Sequence, residues 1–162
     1  MKIAILSDTH SRYHTVEKVV ALLQQRNVNF VIHCGDIEDA DTVWLFHGFT
    51  AHFVLGNCDV TQPLSIQQAV YGIGGELHRP YGRLELDGVQ LAFLHGDDKH
   101  LMNEVEQSGE FDLLFYGHTH RAEEHRTGPT RVINPGALHR ANPKTFLLLD
   151  LPGGEVEKVV VE

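Results

Sequence analysis

Histidine, aspartate and glycine recur together in short motifs along the whole chain. The five motifs are Asp8-Thr9-His10, Gly35-Asp36, Gly56-Asn57-Cys58-Asp59, His95-Gly96 and Gly117-His118-Thr119-His120. Histidine is the commonest metal ligand in proteins and the usual proton carrier near neutral pH. The chain has twelve histidines in 162 residues, so these motifs are the first candidates for a chemical function.

The donor atoms in these motifs are oxygens and imidazole nitrogens. Seven side chains could bind metal: Asp8, His10, Asp36, Asn57, His95, His118 and His120. Such donors suit Mn²⁺, Fe²⁺ or Zn²⁺, whereas a site for a softer metal would contain paired cysteines. Seven donors are too many for one four-coordinate ion, but they suit two ions that share a carboxylate. The sequence therefore predicts a dinuclear centre.

Strands and helices alternate in the first half of the chain. Continuous apolar runs predict buried strands at Lys2–Ser7, Phe30–Cys34 and Ala51–Leu55. The same half predicts helices over Tyr13–Asn27 and Asp39–Phe49, and a third that opens at Thr61-Gln62-Pro63 with a capping residue and an early proline.

Antiparallel hairpins dominate the second half. The Asp87-Gly88 dipeptide predicts a tight turn between two strands. The predicted elements are strands at Arg83–Leu86, Val89–His95, Phe111–Tyr116, Glu123–Arg126, Arg131–Ile133, Thr145–Leu151 and Val156–Val161, and a helix over Lys99–Ser108. This order predicts an α/β fold with two mixed β-sheets packed face to face and flanking helices, a four-layer α-β-β-α sandwich in a single domain over residues 1–162.

Each of the five motifs lies at or just after the carboxyl end of a predicted strand. Taken alone, a Gly-Asp or Gly-Asn pair is ordinary turn chemistry, and a lone Asp-x-His is more often a solvated loop. In open α/β sheets, however, sites form outside the carboxyl ends of the strands. We therefore expect the motifs to converge on one crevice.

Composition excludes several other classes of protein. Hydrophobic residues make up 42% and charged residues 22%, as in ordinary globular proteins. The net charge of -9 argues against stable nucleic-acid binding, which depends on basic residues. No apolar run reaches the roughly 18 residues of a membrane span, and no signal peptide is expected. Cys34 and Cys58 alone form no disulfide framework, which predicts a reducing, cytoplasmic location.

The motif set resembles that of the calcineurin-like metallophosphoesterases over nearly the whole chain. The short length and Asn134-Pro135-Gly136 are similar to the small prokaryotic phosphodiesterase branch. The resemblance implies a phosphodiester hydrolase in which a hydroxide that bridges two metals attacks in line. It assigns one ion to Asp8, His10, Asp36 and His120, and the other to Asp36, Asn57, His95 and His118, with Asp36 bridging.

The resemblance also implies the metals and the catalytic residues. Two divalent ions are expected, with Mn²⁺ first and iron, zinc or nickel as alternatives. Catalytic roles fall on Asp36, Asn57, His95 and Cys58, with the alternative that Cys58 is a small buried side chain that only fills space. Many members of the superfamily have a histidine where this chain has Cys58, and that histidine is thought to protonate the leaving group. A thiol of pKa about 8.5 is a poorer donor near neutrality. Activated leaving groups, another acid or a coordinated water are the alternatives.

Several alternatives remain open at this stage. The substrate is expected to be a small phosphodiester, although the same centre could cleave phosphomonoesters. A membrane-coat subunit of the same fold serves as a protein-binding scaffold, which gives a non-catalytic alternative. Metal storage is disfavoured because the donors come from separated loops. A homo-oligomer through strand edges after residue 120 is conceivable.

Other polar residues are assigned structural roles first. A core or surface position is expected for His14, His47, His52, His78, His100, His125 and His139, and for Trp44 a core position. His33 could support the site from behind. A phosphate-binding guanidinium could come from Arg12, Arg79, Arg121 or Arg140.

Overall fold

The computed structural model describes residues 1–162 as two β-sheets with helices on their outer faces. The strands are β1 (Lys2–Leu6), β2 (Phe30–His33), β3 (Thr50–Phe53), β4 (Glu76–Leu77), β5 (Gly82–Leu86), β6 (Val89–Phe93), β7 (Leu113–Phe115), β8 (Ala122–Thr127), β9 (Thr130–Pro135), β10 (Lys144–Asp150) and β11 (Glu155–Val161). The helices are α1 (Tyr13–Gln25), α2 (Ala40–Trp44), α3 (Pro63–Gly72) and α4 (Lys99–Gln107), with a 3₁₀ turn at Asn57–Thr61.

Both sheets are mixed, as the sequence predicts. The six-stranded sheet has the order β11-β10-β1-β2-β3-β4, and the five-stranded sheet has the order β5-β6-β7-β9-β8. Strands β1, β2, β3 and β4 run parallel to one another in the first sheet, and β6, β7 and β9 run parallel to one another in the second. The carboxyl ends of β1, β2 and β3 therefore lie along one edge of the first sheet.

Three apolar layers hold the four structural layers together. Ala4 and Leu6 of β1 face a cluster of 22 buried residues beneath α1, α2 and α3. The alternate residues Ile3 and Ile5 join a cluster of 14 buried residues between the sheets. A third cluster, of 7 buried residues, lies under α4 and includes Val105. Because β1 is buried on both faces, its sequence is a continuous apolar run. The predicted four-layer sandwich is confirmed.

A side-chain cap explains where α2 begins, but the predicted end of α2 and the predicted cap of α3 are wrong. Asp39 caps α2 by accepting a hydrogen bond from the Thr42 N–H at 2.9 Å. The helix ends at Trp44 rather than at the predicted Phe49, and turns follow it. The predicted capping residue of α3 is also wrong, since Gln62 precedes Pro63 and makes no side-chain cap.

Two further features of this region differ from expectation. Strand β4 was not predicted, because two residues carry no measurable periodicity. The side chain of Trp44, expected in the core, is 48% exposed. None of the helices is long and apolar enough to cross a membrane.

Candidate active site

The five motifs meet where the carboxyl ends of parallel strands from both sheets come together. Asp8 follows β1 and donates its backbone N–H to Gly35 O at 3.0 Å, and the His10 N–H bonds to Asp36 O at 3.0 Å. The His118 N–H donates to Asp8 Oδ2 at 3.1 Å, which joins a loop of the second sheet to the first. The five motifs therefore converge in the fold, as predicted.

Four of the predicted side chains surround one point. His10 Nε2 lies 3.8 Å from Asp8 Oδ1 and 3.6 Å from Asp36 Oδ2. His120 Nε2 lies 3.2 Å from the same Asp8 oxygen. We call this group the Asp8 cluster.

A second group shares Asp36 with the first. His95 Nε2 lies 3.3 Å from Asp36 Oδ2 and 3.1 Å from Asn57 Oδ1. The same amide oxygen is 3.1 Å from His118 Nδ1. We call this group the Asn57 cluster. Since Asp36 Oδ2 belongs to both clusters, all seven predicted side chains form one continuous set.

Contacts behind His95 determine which of its nitrogens faces the cluster. Nδ1 lies 2.8 Å from the carbonyl oxygen of Cys34, which can only accept, so Nδ1 must carry the proton. In the neutral ring Nε2 is then an acceptor, and it faces the acceptor oxygens of Asp36 and Asn57. Three converging acceptors require a cation, either a proton or a metal ion.

Protonation balances the charge when no metal is present. Burial disfavours the His95 imidazolium, but the Asp36 carboxylate outweighs burial and raises the pKa of His95 above its ordinary value. Burial also opposes the Asp36 carboxylate, yet His95 and the Cys58 N–H hold the pKa of Asp36 well below its ordinary value. Asp36 is therefore ionised at neutral pH.

His10 is oriented in the same way by a carboxylate behind it. Its Nδ1 lies 2.6 Å from Glu38 Oε1, which leaves Nε2 pointing at the Asp8 cluster. Burial lowers the affinity of His10 for a proton, but Asp8, Glu38 and Asp36 outweigh burial and raise the pKa of His10 to about 9.

Two buried polar atoms of the Asp8 cluster have no hydrogen-bond partner. They are Asp8 Oδ1 and His10 Nε2. Buried polar atoms are almost always satisfied, and an ion is one of the recognised explanations for an exception. Oxygen and imidazole donors are also what divalent transition metals prefer. The residues of the site therefore fit divalent metal ions.

Asp59 holds the two loops that carry Asp36 and Asn57. Its fully buried carboxylate accepts four backbone N–H groups. Oδ2 accepts from Gly56 at 2.7 Å and from Asp36 at 3.0 Å, and Oδ1 accepts from Ile37 at 2.8 Å and from Glu38 at 2.7 Å. The Cys58 N–H then donates to Asp36 Oδ1 at 2.9 Å, which leaves Asp36 Oδ2 for the two clusters.

Glycine is required where the backbone approaches these carboxylates. A Cβ at Gly56 would lie 2.2 Å from Asp36 Oδ1, and a Cβ at Gly117 would lie 1.8 Å from Ser7 Oγ. Both distances are shorter than any contact between non-bonded heavy atoms. The glycines of these motifs therefore make room for the polar groups they adjoin.

Cys58 lies at the edge of both clusters. Its sulfur lies within 4.8 Å of the metal-ligating atoms of His10 and Asp36. Burial and the Asp36 carboxylate raise the pKa of the Cys58 thiol to about 11. The thiol is therefore protonated at neutral pH and holds its proton tightly, which makes it a weak acid for protonating a leaving group.

Sequence reasoning missed three residues of the site and left the role of His33 open. Glu38 acts through a contact with His10, 28 residues away, and three of the four Asp59 contacts join residues that are 21 to 23 positions apart, so no local pattern predicts them. His139 was assigned a structural role, yet its ring centroid lies 5.0 Å from that of His10 and its Nδ1 accepts a hydrogen bond from Arg12 Nε at 3.0 Å. His33 is fully buried behind the site and lies 3.1 Å from Thr9 Oγ1.

Fold and site together define the class of protein. The sequence matches the calcineurin-like phosphoesterase superfamily domain over residues 1–154, so the chain belongs to that family. It is 28% identical to a phosphodiesterase of Methanocaldococcus jannaschii, with all of both chains covered. It is also 25% identical to the phosphodiesterase YfcE of Escherichia coli K12, covering 93% of this chain and 88% of the relative.

Solved structures extend the comparison. A structure described as a novel archaeal phosphodiesterase superposes with a TM-score of 0.89 at 26% identity, covering 99% of this chain and 100% of the other. Vps29 of Entamoeba histolytica, solved with Zn²⁺, superposes with a TM-score of 0.65 at 16% identity and 99% coverage of both chains, which shows a shared fold. The predicted resemblance is confirmed.

Proposed function

We propose that this protein is a two-metal phosphodiesterase acting on a small phosphodiester. The observation that carries the proposal is the shared oxygen, Asp36 Oδ2, which lies 3.6 Å from His10 Nε2 and 3.3 Å from His95 Nε2. One carboxylate oxygen that serves two converging donor groups is the arrangement expected of a dinuclear centre.

The two clusters supply the proposed ligands. Asp8, His10, Asp36 and His120 would hold one ion, and Asp36, Asn57, His95 and His118 would hold the other. When bound, two divalent ions supply a hydroxide nucleophile near neutral pH and offset the phosphate charge during an in-line displacement. Mn²⁺ is the expected metal, with iron, zinc or nickel as alternatives that the same donors accept.

The surrounding residues keep the donors in position. Glu38 orients His10, and the Cys34 carbonyl orients His95. Loss of such a contact typically lowers metal affinity or activity roughly 10- to 100-fold. Asp59 and the Cys58 N–H hold Asp36. Because these contacts already fix the metal ligands, binding of the substrate would depend on other side chains at the rim of the two clusters.

We assign the phosphate contact to Arg12, whose guanidinium lies beside the Asp8 cluster. Its Nε donates to His139, whose ring packs on His10, while its terminal N–H groups make no hydrogen bond within the chain. Arg79, by contrast, donates to Gln67. A free planar pair of N–H donors beside the Asp8 cluster suits two phosphate oxygens.

Charge and cysteine content support a small substrate and a reducing location. The net charge of -9 opposes stable binding of a nucleic-acid polymer. Cys34 and Cys58 are both free thiols, which fits a cytoplasmic enzyme. Relatives described as phosphodiesterases support the diester preference.

Hydrolysis of bis(p-nitrophenyl) phosphate and of p-nitrophenyl phosphate tests the proposal. Each substrate is incubated with the chelated protein, with Mn²⁺ restored, and with Mn²⁺ and the Asp36→Ala variant. The proposal predicts Mn²⁺-dependent cleavage that favours the diester and disappears in Asp36→Ala. Preferential cleavage of the monoester would identify a phosphomonoesterase instead.

A protein-binding scaffold is the second candidate, and the shared fold with Vps29 is the observation that favours it. A scaffold has no need of two groups of metal-competent side chains that share the Asp36 carboxylate, which is why we place it second. Absence of cleavage of either substrate by the folded protein, with any divalent ion, would favour the scaffold.

A further inference from the structure

A second group of metal-binding side chains lies apart from the seven-residue site, on the β3–β4 edge of the larger sheet. His52 of β3 and Glu76 of β4 are register partners in the parallel pair, and His78 follows β4 directly. Their ligand atoms, two imidazole nitrogens and one carboxylate oxygen, converge. We call this group the β4 cluster.

The distances between these three atoms suit the coordination of one metal ion. His52 Nδ1 lies 3.0 Å from His78 Nε2, and each nitrogen lies 3.8 Å from Glu76 Oε2. The nearest point equidistant from three atoms with these separations lies about 2.1 Å from each, which is the length of a zinc bond to nitrogen or oxygen. We propose that the β4 cluster is a zinc-binding site, independent of the seven-residue site.

Hydrogen bonding alone does not account for the group. The two rings can share one proton at 3.0 Å, but the carboxylate at 3.8 Å is too far away to bond to either of them. A bound ion would engage all three atoms at once and leave a fourth position for water, as in three-ligand zinc sites.

The rings are held in place and are available as ligands. The His52 ring stacks on Phe30 at 4.9 Å between centroids, and the His78 ring meets Phe93 edge-on at 5.1 Å. The backbone N–H of His78 also donates to the backbone carbonyl of Phe53 at 2.8 Å, which fixes the chain at this position. Burial lowers the pKa of both His52 and His78, which favours the neutral imidazole, the form that binds metal.

The site is accessible and chemically selective. The Glu76 side chain is 68% exposed, whereas those of His52 and His78 are 8% and 17% exposed, so an ion can enter from solvent on the Glu76 side. Two imidazoles and one carboxylate favour zinc over Mg²⁺, which prefers oxygen ligands. Since β4 has only two residues, an ion shared by β3 and β4 would fasten this edge of the sheet.

Zinc content per chain tests the proposal in the 162-residue protein. Wild type, His78→Gln and His125→Gln are dialysed against about 20 µM free Zn²⁺, a concentration that fills sites of low-micromolar Kd, and bound zinc is counted. His125 is the matched control, because it is an exposed histidine 2.6 Å from a single carboxylate, Glu106. We expect wild type and His125→Gln to hold one more zinc per chain than His78→Gln.

Thermal stability gives an independent readout that does not depend on activity. Zinc at 100 times its Kd should raise Tm in wild type by about 5–10 °C more than in His78→Gln, and Mg²⁺ should not. Equal zinc counts in all three proteins would overturn the proposal.

If His78→Gln does not fold, Glu76→Ala decides the question, since that side chain is largely exposed. It should weaken binding of one zinc at least tenfold. Unchanged zinc affinity in Glu76→Ala would also overturn the proposal.

Discussion

Replacing Asp59 with asparagine tests whether one buried carboxylate holds the active-site loops. Asp59 accepts four backbone N–H groups, two on each oxygen, from Gly56, Asp36, Ile37 and Glu38. Asparagine has nearly the same shape but only one acceptor oxygen. Whichever way the amide turns, two of the four N–H groups face an NH₂ group and lose their acceptor.

The expected cost follows from this count. A buried donor left without a partner costs about 1–3 kcal/mol, so two orphaned N–H groups should lower the free energy of unfolding by about 2–6 kcal/mol. A domain has about 5–15 kcal/mol of stability in total, so the variant should fold at reduced temperature. Since the Asp36 N–H is one of the four donors, diester hydrolysis should fall by about 100-fold, as expected for a displacement near 1 Å.

Urea unfolding at 15 °C, monitored by circular dichroism, measures the first quantity, and Mn²⁺-dependent diester hydrolysis measures the second. Asp150→Asn is the matched control, because Asp150 is exposed and pairs only with Lys2, at 3.3 Å. The control should change stability by less than about 0.5 kcal/mol. A loss below about 1 kcal/mol in Asp59→Asn, or full activity, would refute this account of the loops.

Three further predictions concern the proton donor, a buried histidine and the phosphate contact. Cys58→His should raise turnover more for diesters with poor leaving groups than for nitrophenyl esters, because an imidazole is a better acid near neutrality than a thiol with a pKa of about 11. Burial lowers the pKa of His33 from 6.5 to about 4. The contribution of neutral His33 to stability is therefore complete above pH 6.5 and is lost as the pH falls from 6.5 towards 4. Urea unfolding should show that wild type loses about 2–3 kcal/mol more than His33→Gln between pH 7.5 and 4.5. Arg12→Ala should raise KM for the diester about tenfold while metal content stays unchanged.

Each of these predictions has a contradicting result. Equal effects of Cys58→His on good and poor leaving groups would show that no acid is missing. Parallel pH profiles of stability for wild type and His33→Gln would show that His33 is not buried in its neutral form. Arg121→Ala is the comparison variant for Arg12→Ala. An unchanged KM in Arg12→Ala would show that Arg12 does not contact the substrate.

Sequence patterns predict the features that depend on local chemistry. The apolar runs of β1 and β2 predict strands buried on both faces, and the five motifs predict where the seven donors converge. Both predictions depend on residues that are close together in the chain, or on the rule that parallel strands end at one edge.

Features that depend on contacts between distant segments were not predictable in this way. Arg12 and His139 are 127 positions apart and meet only because the loops after β1 and β9 are neighbours in the fold. Asp59 was visible as part of a motif, but its four N–H partners were not. The exposed Trp44 has an apolar side chain at helical spacing, and nothing in the sequence distinguishes it from a core residue.

Some predictions remain untested by the fold and the comparisons. These are the single domain over residues 1–162, the metal-binding and catalytic roles of the site residues, the number and identity of the metals, the diester preference, the cytoplasmic location and the homo-oligomer. Strand β8 lies at the edge of its sheet and its first five residues are exposed, which keeps strand-edge association open to measurement by light scattering.

Asp36 bears the central claim, because its Oδ2 is the only oxygen common to both clusters. Wild type and Asp36→Ala, both chelated and then reloaded with Mn²⁺, should be compared for bound metal per chain and for diester hydrolysis in the same samples. We expect about two Mn²⁺ per wild-type chain. Asp36→Ala should lose both the bound metal and the hydrolysis while its circular dichroism spectrum remains that of a folded protein. Wild-type hydrolysis by folded Asp36→Ala would contradict it.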